Sequence, residues 1–135
     1  MEKMTVEVCP VDLVDTNGKL VPSGLVAGLA KKADLGILYG ESNYSERISQ
    51  TPIDRLLEAT RQVDLSKASH RIDKIYIDDK GTLVADIAML KHVAEGTFTI
   101  RGNFIHKETE QGPVDEIVEL ITIDVVPNIP IPQLD

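Results

Sequence analysis

Three histidines, His70, His92 and His106, and 22 carboxylates are the groups in this 135-residue chain that could move protons or hold a metal ion. Metal binding and general acid–base work need such groups at defined intervals, such as two imidazoles one helical turn apart. Here the three imidazoles fall in different segments, and none has a partner His at i+2 or i+4. There is no HExxH pair, no Asp-rich calcium loop and no Walker-type glycine loop. The histidines therefore read as surface or hydrogen-bonded structural residues, and neither a metal nor a cofactor is expected. Cys9 precedes Pro10 without an adjacent cation to lower its pKa, so it reads as a buried or inert thiol. As the single cysteine it also excludes an internal disulfide and a Cys-based zinc cluster. Glu108, Glu110, Asp115 and Glu116 flank Gly112-Pro113, the pattern of a solvated hairpin tip.

The elements that would position any site follow from periodicity. Thr5-Val6-Glu7-Val8 alternates as a strand does, and Asn17-Gly18 between Val11–Val14 and Leu20-Val21 predicts a hairpin turn. Ser23 is placed to cap a short helix over 25–30, with Lys31 and Lys32 complementing the dipole at its end. A second helix is expected to begin at Thr51-Pro52, with Ile53, Leu56, Leu57 and Thr60 forming one stripe that docks on a core. From about residue 71 the period changes to two. Strands are expected over 72–77 and 82–90, joined by an Asp78–Gly81 turn, then over 97–105, with Phe98, Ile100 and Phe104 on one face and Gly102 permitting a bulge or close approach, and over 114–126. The stretch 117–123 is apolar enough to be covered on both faces. This order predicts an α+β fold, mainly an antiparallel curled sheet or small β-barrel with one or two packed helices. Residues 1–126 form one domain on this reading, and 127–135, with Pro127, Pro130 and Pro132, form an extended C-terminal arm.

Composition bounds the partners. The net charge is −8, aromatic residues make up 4% and Trp is absent, so neither phosphate-backbone binding nor base stacking is favoured and nucleic acid is not an expected partner. No apolar run approaches the roughly 20 residues of a membrane helix, and the N-terminus lacks the layout of a secretory signal. An acidic protein with its own core is expected.

Four short motifs occur in order: Leu38-Tyr39-Gly40-Glu41-Ser42-Asn43-Tyr44, Ser69-His70-Arg71-Ile72, Phe98-Thr99-Ile100-Arg101-Gly102 and Ile121-Thr122-Ile123-Asp124-Val125-Val126. Their order and spacing resemble the tailed-phage prohead (head maturation) proteases, relatives of the herpesvirus capsid assembly proteases. In that family a Gly-Glu-x-Asn/Gly-His-Pro segment carries the catalytic His and a Ser-Ser-Arg-Gly-like segment carries the nucleophile. The resemblance implies that Tyr44 stands at the His position and Thr99 at the nucleophile position, with Ile100 in the second Ser position. Arg101-Gly102 would belong to the oxyanion-hole segment.

Both departures bear on activity. A phenol of pKa about 10 cannot accept the hydroxyl proton at neutral pH, and a threonine carries an extra methyl against attack. A displaced base, His70 or His92, could restore one; His70 opens the strand that follows the helix, where it could face the same cleft as Thr99. The resemblance thus implies a shortened, catalytically degenerate member without a catalytic site. It would be a phage virion structural protein that binds the major capsid protein or other head proteins as a decoration, cement or minor head component. It would reside in the virion, and in host cytoplasm during assembly, with homo-oligomers possible. Pro127, Ile129, Pro130, Ile131 and Pro132 are the expected partner-binding residues, because prolines pre-extend an arm that then loses little entropy on docking. Two other readings are an active capsid-processing protease using Thr99 with a displaced His, and an unrelated small acidic binding module that meets a basic partner.

Overall fold

The computed structural model describes residues 2–93 and 96–127. Two open sheets carry the fold. In the first, β1 (Lys3–Pro10), β5 (Thr82–Met89), β4 (Ala68–Ile77) and β3 (Tyr39–Glu41) lie side by side in that order, all antiparallel. In the second, β7 (Gly112–Pro127) sits between β6 (Gly96–Thr109) and the two-residue β2 (Lys19–Leu20). The fold is α+β as expected, though neither sheet closes into a barrel.

Alternation decides what each strand buries. Leu83, Ala85 and Ile87 point from β5 into the core, where they meet Ile72 and Ile75 of β4 and Ile117 and Ile123 of β7. Helix α1 (Val26–Asp34) closes the core with Val26, Leu29 and Ala33, an i, i+3, i+7 stripe. It begins later and runs further than expected. A 3-10 turn precedes it, and Ser23 makes no side-chain cap; its N–H instead donates to Asp12 at 2.8 Å. At the other end Gly36, at φ 71°, closes a Schellman turn in which Gly36 N–H reaches the Ala33 carbonyl and Ile37 N–H the Lys32 carbonyl. That reversal feeds the chain directly into β3.

Three local expectations are corrected. The Asn17-Gly18 turn forms, with Asp15 accepting from the Asn17 and Lys19 amides, but it yields only a Val14–Leu20 bridge, and β2 pairs in parallel with β7 instead. The stripe from Ile53 does not dock: a 3-10 turn (Ile53–Arg55) leads into a six-residue α3 (Leu56–Arg61), Ile53 is 87% exposed, and Thr60 is the buried residue. A further short helix, α2 (Tyr44–Ser49), has no sequence periodicity to announce it. In β7, only Thr122 to Val125 is covered on both faces; Val118 is exposed and Glu119 bonds Arg61 and Asn103.

The bulge expected at Gly102 is present as register shifts at Arg101/Gly102 and Asn103/Phe104. Phe98 and Ile100 pack on the core, whereas Phe104, two further steps along, is turned out to solvent. The acidic residues 108–116 lie on the exposed hairpin end joining β6 to β7. Pro127 still pairs with Gly96 at the end of β7, so the strand runs one residue past the expected boundary. Ile129, Pro130, Ile131 and Pro132 lie outside the described residues.

Candidate functional site: a buried ion cluster at the motif segments

A charged residue inside an apolar strand has to find a partner, because burying an unpaired charge costs several kcal/mol. Arg101 in β6, Asp124 in β7 and Glu41 at the end of β3 each break an apolar run, and the fold brings the three together. Arg101 forks onto Asp124, donating from Nε at 2.7 Å and from Nη2 at 2.8 Å. The same Nη2 reaches Glu41 at 2.7 Å, and Nη1 donates to the Gln62 carbonyl at 2.6 Å and to the Thr60 carbonyl at 3.4 Å. Asp124 also accepts the Glu41 backbone N–H at 2.9 Å, which ties β3 to β7. Arg47 of α2 donates to Glu41 at 2.8 Å and to the Gln62 carbonyl at 3.2 Å. Two carboxylates thus face two guanidiniums, and the cluster is electrically neutral. Burial opposes the charge on Arg101, but the bonds to Asp124 and Glu41 outweigh it and hold its pKa above the usual arginine value.

Tyr44 lies over this cluster. The Arg101 guanidinium carbon sits 3.8 Å from the centre of its ring, a cation–π contact with the guanidinium held out of water, and the phenol hydroxyl donates to Thr60 Oγ1 at 3.1 Å. Thr60 in turn donates back to the Leu56 carbonyl. The short α3 is therefore held by its last turn, through the Thr60 hydroxyl and the carbonyls it presents to Arg101, rather than by an apolar stripe. Three buried polar atoms, Glu41 Oε1, Asn43 Oδ1 and Arg47 Nε, have no hydrogen-bond partner among the described residues.

His70 occupies the other side of the same strands. It is fully buried, with Nδ1 bonded to Ser69 Oγ at 2.7 Å and Nε2 to the Ile123 carbonyl at 2.8 Å. Burial pushes its pKa down, so the neutral ring is favoured and Nε2 carries the proton donated to Ile123. Its ring meets Phe98 edge to face at 5.2 Å. Gly40, opposite His70 in the β3–β4 ladder, has no room for a side chain: a Cβ there would overlap both the Ile123 carbonyl and the His70 ring. This contact fixes how closely the two sheets approach.

The positions singled out in sequence can now be placed. Tyr44 and Thr99 both belong to the Arg101 side of β6, and Thr99, exposed, pairs with Asp124 in the ladder. No hydrogen bond joins them, since the phenol is used by Thr60. His70 does not face the cleft of Thr99: it packs on Phe98, whose side chain leaves the opposite face of the strand. His106 spends its nitrogens on Asp115 and Glu108 at the hairpin end, and these carboxylates raise its pKa. His92 is exposed. Cys9 is partly buried, which together with Asp15 pushes its thiol up to about 11 and suits the inert reading. Among the described residues no three His, Cys, Asp or Glu are grouped to hold a metal ion.

Glu41, Arg101 and Asp124 were all inside the quoted motifs, yet their mutual pairing was not read from them. The available signal was local: Arg101 and Asp124 are the single charges in the stretches 96–105 and 120–126 of their strands.

Comparison with known proteins places this architecture. The bacteriophage T4 capsid assembly protease, gp21, superposes with a TM-score of 0.62 over 92% of this chain and 80% of that one, at 15% sequence identity. The fold is prohead-protease-like. Neither a family model nor a curated protein sequence matches the chain. Identity that low concerns the fold alone, and the ion cluster has to be interpreted from its own chemistry.

Proposed function

We propose that the chain is a non-catalytic, capsid-associated protein on a prohead-protease-like fold, acting as a decoration, cement or minor head component. The observation that supports this reading is the state of Tyr44. Where the resembled proteases carry an imidazole, this chain has a phenol stacked on Arg101 whose hydroxyl is committed to Thr60, a structural cap in place of a general base. Arg101 is likewise spent: its donors are committed to Asp124, Glu41 and two carbonyls, so it is not aimed at a developing oxyanion. What persists is a shaped scaffold, and the capsid as its partner rests on the fold shared with a capsid assembly protease.

The test has two arms. Purified protein is incubated with assembled heads and with unprocessed capsid and scaffold proteins, and the wild type is compared with Thr99→Ala. Co-sedimentation with heads, at equal occupancy for both proteins and without new cleavage products, is the expected result. Cleavage that Thr99→Ala abolishes would replace this reading with an active protease, and failure to sediment with heads would remove the capsid as partner.

A further inference from the structure

A groove of about 460 Å³ opens away from the ion cluster, between the end of α1, β3, the segment after α3, and β7. Ile121 and Val63 line its apolar part, and Ile37 and Leu65 stand on it at 60% and 67% exposure, high values for large apolar side chains. Its charged groups are Lys32, Arg61 and Glu119, and Arg61 and Glu119 neutralise each other at 2.8 Å. Lys32 leaves the groove with a local charge of +1 in a chain whose net charge is −8. An occupant should therefore be apolar, extended and acidic.

Segment 128–135 of this chain has that chemistry. Ile129, Ile131 and Leu134 supply apolar side chains, Asp135 a carboxylate for Lys32, and Pro130 and Pro132 limit the entropy lost on docking. Those prolines donate no N–H, so the segment is poorly suited to extending a sheet and better suited to a groove that takes side chains.

We propose that this groove receives segment 128–135 from a second copy of the chain. Reach prevents one copy from seating the whole arm in its own groove. From Ile121 in the groove wall to Pro127 the strand runs away for six residues, about 20 Å at ~3.3 Å per residue. Ile129, two residues beyond Pro127, can return at most about 7 Å and stays outside the groove, while Ile131, four residues beyond, returns at most about 14 Å and meets only its edge. A neighbouring copy meets no such limit. An arm-to-groove contact joins different surfaces on the two copies, so unless two copies exchange arms reciprocally it propagates into a ring or an open array. This inference stands apart from the capsid reading and holds whether or not the protein meets a head.

The experiment uses the full chain and two variants, Ile37→Asp in the groove and Ile131→Asp in the arm, followed by sedimentation velocity across a concentration series. Circular dichroism and melting curves confirm that both variants keep the wild-type fold. Wild type is expected to self-associate, and each variant alone to need at least about tenfold more protein to do so. Mixing the variants should give a one-to-one dimer and nothing larger, because one contributes an intact arm, the other an intact groove, and the pair has neither left over. A wild type that stays monomeric throughout, variants that associate as wild type does, or a mixture that stays monomeric would each overturn the proposal.

Discussion

Replacing Arg101 by methionine keeps the length and much of the volume of the side chain while deleting five hydrogen bonds: three to Asp124 and Glu41 and two to carbonyls. The cavity left is small, so the cost comes mainly from two carboxylates stranded at 3% exposure for Asp124 and 0% for Glu41. Removing one side of a buried ion pair costs about 3–5 kcal/mol, against a total stability on the order of 5–15 kcal/mol for a domain. With a urea m-value of about 2 kcal/mol/M, a loss of ~4 kcal/mol lowers the unfolding midpoint by about 2 M. Glu41 retains Arg47 at 2.8 Å, so Asp124 carries most of the uncompensated charge. Adding Asp124→Asn to Arg101→Met should therefore raise stability again, although Asp124→Asn in the wild type lowers it. Equilibrium urea unfolding followed by circular dichroism measures all four proteins of the cycle. A loss below about 1 kcal/mol for Arg101→Met, or a double variant less stable than Arg101→Met alone, would refute the account of the cluster as an ion pair that holds the fold.

Two further outcomes follow from geometry and titration. Gly40→Ala should cost at least about 3 kcal/mol, because its Cβ must push apart the Ile123 carbonyl and the His70 ring, whereas Gly28→Ala in α1 meets open space and should stabilise by up to about 1 kcal/mol; thermal melts compare them directly. NMR titration should show the two bonded histidines moving in opposite directions. His70, depressed first by burial, contributes stability that is present above the unfolded pKa of about 6.5 and lost as pH falls below it toward the folded pKa. His106, raised chiefly by its bond to Asp115, contributes stability that is present below about 6.5 and lost as pH rises through its folded pKa, and His106→Gln should remove that second dependence. A normal pKa at both rings would contradict the burial of His70 and the carboxylate bonds of His106.

The sheet was legible in sequence because alternation is a local property. Leu83, Ala85 and Ile87 had to share a face whatever β5 met, and they do. The helical segments were less legible because their fate depends on contacts distant in the chain. The apolar spacing from Ile53 is real, but Ile53 and Leu57 stay exposed, and α3 is held by Thr60 and its carbonyls on Arg101. Phe104 keeps the alternation of Phe98 and Ile100 but stands past the two register shifts, where β6 passes from half-buried to exposed, a change that period-two spacing does not mark. At the candidate site the motif residues were visible, but their roles were not. Arg101 was assigned by resemblance to an oxyanion segment, and the fold gives its donors to Asp124, 23 residues away, and to Glu41, 60 residues away. The alternative of His70 beside Thr99 is closed for a simpler reason: His70 packs on the face of β6 opposite the one that carries Thr99.

The wide sequence separation of those partners also bears on when the bonds form. Arg101 cannot meet Glu41, Asp124 and the Gln62 carbonyl until β3, β6, β7 and the end of α3 have all assembled, and closing those loops costs entropy before any bond repays it. Bonds completed late in assembly are absent from the transition state and act on the rate of opening rather than the rate of closing. The cluster is thus a latch: weakening it should speed unfolding while leaving refolding nearly unchanged, and an intact latch lengthens the lifetime of the folded chain.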